Sequence, residues 1–146
     1  MTRRTSIVTA LAQKFNESLT GDSPYQTNIY NNAYPQLKFW DEVQDFPSIY
    51  ITPGSETREY HPGGFAWGYL GVSIKVYCRG ESAQQQLEIL LEDVEQCITA
   101  NRTLVYDTTT GADTTEILVL SIVTDEGVLA PYAIGEINLQ VRYDIM

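Results

Sequence analysis

The segment that most limits what this chain can fold into is YLGVSIKVYC, residues 69–78, which follows closely on a Pro62-Gly63-Gly64 sequence. Leu70, Val72, Ile74, Val76 and Cys78 alternate strictly with Tyr69, Gly71, Ser73, Lys75 and Tyr77. A period of two puts the first set on one face of an extended strand, whereas a helix would scatter it around its circumference. The segment ETREY, residues 56–60, runs up to the glycines from the other side. Two extended runs about a glycine-rich reversal predict a hairpin.

Other stretches obey the same rule. In SIYITPG, Ile49 and Ile51 alternate with Tyr50 and Thr52, and Pro53-Gly54 is expected to end that strand in a turn. Near the C-terminus, Ile137, Leu139, Val141, Tyr143 and Ile145 alternate with Glu136, Asn138, Gln140, Arg142 and Asp144, which predicts a strand with one wet face. TLVYD reads as a short strand and TTTGADTTE as a polar turn. ILVLSIVTDEG is apolar in both phases, the pattern of a central strand buried on both sides.

Two segments carry the helical period instead. Ile7, Val8, Leu11, Ala12, Phe15 and Leu19 form one stripe, with Gly21 as its stop. Ala83, Leu87, Leu90, Leu91, Val94, Cys97 and Ile98 form another, with Glu88, Glu92, Asp93 and Glu95 expected to lie away from it. Ser82 and Gln85 match a capping box, and Asn101 suits a left-handed terminating residue. Between the first helix and the first strand, residues 21–47 are rich in Asn, Pro, Tyr and Asp and read as a long ordered connection. Its Tyr30, Tyr34, Phe39 and Trp40 serve either as partner contacts or as a cover for the core. The fold class that follows is α+β: a mostly antiparallel sheet, two helices on its apolar face, a protruding hairpin, and a polar face left for solvent or other subunits. A length of 146 residues fits one domain, 1–146.

Nineteen acids against nine bases give a net charge of −10, the wrong sign for holding nucleic acid through its phosphates. Such a surface either lets DNA pass without sticking or simply keeps the protein soluble. No apolar run approaches the roughly 20 residues of a membrane-spanning helix, so no membrane partner is expected. Cys78 and Cys97 fall on apolar stripes and read as buried free thiols. His61 is the single histidine, with no Gly-x-Ser-x-Gly turn to supply a nucleophile. No metal-ligand spacing or phosphate-binding loop occurs. The acids Glu88, Glu92, Asp93 and Glu95 could hold a divalent cation, but beside so clean an apolar stripe they read as a solvated face. No catalytic, cofactor or metal residue is assigned.

The run Tyr34–Val43, then FPSIYITPGSETREYHPGGFAWGYLGVSIKVYCRG, then the acidic helix resembles the tail terminators, or tail-completion proteins, of long-tailed bacteriophages. The resemblance is carried by residues 25–102, with the rest following by pattern; the Pro62-Gly63-Gly64-Phe65 tip is its most specific part. It implies a non-enzymatic virion protein, assembled in the host cytoplasm and placed at the tail and neck. Its subunits form a ring, usually a hexamer, that caps the tail-tube protein, ends tube growth and meets the head–tail connector or neck protein. DNA passes through the lumen without specific binding. On this view Tyr60, His61, Pro62, Gly63, Gly64, Phe65, Trp67 and Tyr69 contact a neighbouring subunit or the tube, and Glu116, Asp125, Glu136 and Asp144 are candidates to line the lumen. Three other readings remain: a neck or head-closure ring, a small metal-dependent hydrolase built on the helix acids, and a binding module for a small ligand.

Overall fold

The structure, a computed structural model, describes residues 2–145. Its elements are α1 (Arg3–Ser18), β1 (Ala33–Tyr34), β2 (Ser48–His61), β3 (Phe65–Arg79), α2 (Ala83–Ala100), β4 (Val105–Asp107), β5 (Ala112–Thr124) and β6 (Tyr132–Asp144). The six strands form one sheet in the order β1-β2-β3-β6-β5-β4. Every neighbouring pair is antiparallel except β1 with β2. The α+β expectation holds.

The alternation in β3 and β6 does the work its period implies. Leu70, Val72, Ile74 and Val76 of β3 meet Val141, Leu139, Ile137 and Gly135 of β6 in register, on the face that both helices cover. α2 settles closely on this face: a Cβ at Gly135 would stand 3.0 Å from Leu91 Cδ2. α1 begins with Thr2, whose hydroxyl accepts from the Thr5 amide and satisfies one of the helix's open N–H groups. Its stripe, from Ile7 to Phe15, joins the same core. Because α1 packs on both β2 and β4, which lie near opposite ends of the sheet, the sheet is curled.

Several expectations need correction. Pro53-Gly54 does not end a strand; β2 continues through it with a bulge between Pro53 and Glu56. Beyond Tyr50 this is an edge strand, and an edge or a bulge is where a sheet tolerates proline. β5 is not central but next to last, and it begins at Ala112, inside the stretch read as a turn. At α2, Ser82 makes no side-chain cap, and Asn101 has φ −130 instead of a left-handed value. Asn101 instead donates its side-chain amide to the Cys97 carbonyl at 2.8 Å.

Asp93 does not lie away from the core. It is 2 % exposed and accepts from the amides of Gln26 (3.1 Å) and Thr27 (2.8 Å). A buried carboxylate is tolerable when donors surround it, and here it clips the long connection to α2. That connection then crosses the face expected to stay polar. Val43 joins Tyr50 and Tyr77 in a second apolar cluster, bordered by Tyr34, Phe46 and Ile134. Cys78 and Cys97 are free and buried, and burial pushes the Cys78 thiol up to about 12.

Candidate interaction surfaces

The hairpin outlasts its neighbours by little. β6 follows β3 as far as the Trp67–Asp144 pair, while β2 and β3 run on to His61–Phe65. Pro62, Gly63 and Gly64 close the loop, the glycines at φ +90 and +78, where other residues are strained. Register puts His61, Phe65, Trp67 and Tyr69 on the face away from the helices. There Phe65 meets Trp67 edge-on, ring centroids 4.7 Å apart, and the Arg142 guanidinium lies 4.8 Å from the Trp67 centroid. His61 Nε2 lies 2.6 Å from Glu59 Oε1. Tyr60 points to the opposite face and is 67 % exposed. Of the residues expected to make contacts, the structure therefore gathers His61, Phe65 and Trp67 into one row and sets Tyr60 apart.

The base of the hairpin is tied down. Glu56 accepts from Tyr143 Oη at 2.5 Å and from Arg58 Nε at 2.9 Å. Arg4 donates to the Gly54 carbonyl, and Arg3 to that of Ile145 at 2.7 Å. Burial pushes the Glu56 carboxyl up, but the bonds from Tyr143 and Arg58 and the charges of Arg58 and Arg4 outweigh it and hold the group below its ordinary value. Burial and the same bond push Tyr143 up to about 12.

A second surface was missed by the reading of ILVLSIV as a buried strand. In β5, Leu118, Leu120, Ile122 and Val123 are 40, 60, 41 and 55 % exposed. The connection adds Phe39 and Trp40, which stand over Tyr77, Val123 and Ile134. Trp40 also meets Tyr132 edge-on, and Tyr77 Oη donates to the Lys38 carbonyl at 2.6 Å. Tyr34 instead stacks on Tyr50 as core cover. The available signal was the exposed side of an edge strand, which depends on sheet order.

Among the acids, Glu116, Glu136 and Asp144 share the helix-free face. Each of the first two has a base directly across the ladder: Arg142 opposite Glu116, and Lys75 opposite Glu136. Glu136 also accepts from Ser73 Oγ at 2.6 Å. Asp125 belongs to the β5–β6 turn, where it accepts from the amides of Leu129 and Ile134 and from Gln84. Burial pushes its carboxyl up, but these bonds prevail and hold it low. On α2, Glu88, Glu92 and Glu95 are exposed while Asp93 turns inward, so the four do not converge. Among the described residues no group of three or more His, Cys, Asp or Glu is placed to hold a metal ion, and no helix is long and apolar enough to cross a membrane.

The family model described as Bacteriophage Tail Tube Terminator Protein matches residues 1–146. The chain belongs to this family of phage tail tube terminators. A curated relative, "Tail tube terminator protein p142" of Escherichia phage T5, is 35 % identical over 152 residues, covering 98 % of this chain and 94 % of the relative. Among solved structures, a chain from the "Virion of native gene transfer agent (GTA) particle" superposes with a TM-score of 0.59 at 13 % identity, covering 94 % of each chain, and so shares the fold. This terminator is thus a structural virion component of the tail.

Proposed function

We propose that residues 1–146 act as one tail-terminator-like unit that closes into a ring, six copies to a turn, on the last layer of tail-tube protein. The ring ends tube growth and offers its far side to the head–tail connector. Assembly takes place in the host cytoplasm. The family match over the whole chain carries this reading. The surfaces support it: the row His61–Phe65–Trp67 and the exposed Tyr60 provide rigid aromatic area of the kind that dominates interfaces. Tyr69 and the Pro62-Gly63-Gly64 tip complete the patch that meets a neighbouring subunit or the tube. A subunit that joins head to tail closes a ring when its rotation divides the circle.

The helix-free sheet face, with Glu116, Glu136 and Asp144, faces the DNA passage, and Asp125 borders it. DNA slides past because like charges repel and the net charge of −10 recurs in every copy. Electron microscopy of the purified protein mixed with uncapped tail tubes tests the ring: hollow rings at one tube end are expected, and bare tube ends that keep growing would refute it.

A further inference from the structure

We propose that the outer edge of β5 receives the outer edge of β2 from a second copy of this chain. This rests on the ring reading and specifies its subunit contact. The first observation is that the sheet has two open edges. β4 covers β5 only at Ala112 and Asp113, with the Leu104 carbonyl taking the Thr114 amide, and among the described residues no strand lies on its outer side from Glu116 onward. β1 covers β2 only at Ile49 and Tyr50, leaving Ile51–His61 open. Both edges present unpaired backbone N–H and C=O groups, a template for another strand, save at the β2 bulge, where Pro53 has no N–H and the Gly54 carbonyl accepts from Arg4.

The second observation is that β5, although bulged between Val119 and Ser121, carries none of the charges or prolines that usually keep an edge solitary. Its stretch Ile117–Val123 contains no charge, no proline and no glycine. Leu118 and Val123 sit with Gln140 and Glu136 on the helix-free face, Ile122 sits with Ile137 on the helix side, and Leu120 falls at a bulge between them. All four are exposed. An apolar, uncharged edge left open in solution invites strand addition, so its retention implies an occupant.

Charge chooses the occupant. α2 runs beside β5, where Glu88, Glu92 and Glu95 border Ile89 and Ile122, and the helix contains no Lys or Arg. α1 runs beside β2; its first turn carries Arg3 and Arg4, and Arg4 reaches the Gly54 carbonyl at the bulge itself. Copies of a chain of net charge −10 repel, so a contact between them needs a local complement. Placing β2 of one copy against β5 of the next supplies it, bringing the basic end of one α1 to the acidic row of the neighbouring α2. The contact joins opposite ends of the same sheet, which makes it heterologous and able to close a ring.

The test compares full-length variants by mass photometry and by imaging on tail tubes, with thermal melts to verify folding. Leu120→Glu with Ile122→Glu alters exposed positions only and is expected to give folded subunits without rings. Glu88→Lys with Glu92→Lys, and separately Arg3→Glu with Arg4→Glu, should each cut the ring fraction by roughly tenfold, and combining the two reversals should restore it. Wild-type and Leu120→Glu/Ile122→Glu proteins forming rings equally would overturn the edge pairing while leaving the ring reading intact. Rings of that variant that no longer cap tubes would overturn it too, by assigning the edge to the tube protein. A wild type that stays monomeric alone and on tube ends removes the ring reading and this contact together. If the arginine reversal unfolds the protein, since both arginines bond their own chain, the β5 variant still decides.

Discussion

The hydroxyl of Tyr143 donates to Glu56 Oε1 at 2.5 Å, joining the end of the C-terminal strand to the bulge at the hairpin's base. Glu56 is 6 % exposed at its side chain, so this bond and the one from Arg58 replace most of its water. Tyr143→Phe removes a donor from a carboxylate with few alternatives, at an expected cost of about 1.5–3 kcal/mol by urea denaturation. A smaller loss than 0.5 kcal/mol, roughly the scatter of surface substitutions, would mean that the bond is idle.

The same carboxylate sets an acid limit. Its folded value is held below the ordinary 4.5, so its contribution is complete above that value and is lost as pH falls through the folded one. The urea midpoint should fall in this acid range, and Glu56→Gln should flatten that part of the profile while lowering stability at neutral pH.

At the alkaline end the sign reverses. Burial, joined by nearby Tyr50 and Glu136, pushes Tyr77 up to about 12, and Tyr143 stands at about 12, against 10.0 unfolded. The unfolded chain therefore loses protons first, and stability should drop as pH rises from 10 towards 12. Ultraviolet titration of phenolate should show two tyrosines ionising together with unfolding.

Asp93→Ala would leave the part-exposed amides of Gln26 and Thr27 without their acceptor. A loss of about 1.5–3 kcal/mol is expected, the net worth of hydrogen bonds to a charged group, since water can reach the freed amides. Hydrogen exchange should quicken first across residues 22–32. Asp93→Asn keeps one acceptor oxygen and should cost less.

Two glycines of the hairpin should each lose stability, for different reasons. A Cβ at Gly68 would come within 2.9 Å of Ile145 Cγ2 and Tyr143 Cε1, and Gly68→Ala should cost about 1–3 kcal/mol through overpacking. At Gly64 nothing lies within 4 Å, so Gly64→Ala pays only for its φ of +78, about 1–2 kcal/mol. A Gly64→Ala loss well above about 2 kcal/mol in thermal melts would point to an unrecognised contact at the tip.

Phe65→Ala with Trp67→Ala breaks the edge-on pair and strips Arg142 of its ring partner, outside the main core. Unfolding should shift by at most about 2 kcal/mol, consistent with losing one aromatic pair and one cation–π contact. Capping of tail tubes, scored by tube length, should be abolished. Normal tube lengths with this variant would remove the hairpin from the contact surface.

The helices, the strands β3 and β6 and the glycine-tipped hairpin could be read from residue order because each depends on a local period: 3.6 for the stripe from Ala83 to Ile98, and two for the run from Tyr69 to Cys78. The family resemblance rested on the same stretch. What lay beyond reach was whatever depended on neighbours distant in sequence. Asp93 sits one position from the apolar stripe, and the amides that make its burial tolerable are 66 and 67 residues away. ILVLSIV is equally consistent with a strand buried on both sides and with an edge strand awaiting a partner, because both put apolar groups in both phases. Composition and periodicity determined which faces of each element are apolar. Only the tertiary structure decided which of those faces are already covered, since coverage is set by sheet order and by where the 21–47 connection lies, and neither is encoded in a local repeat.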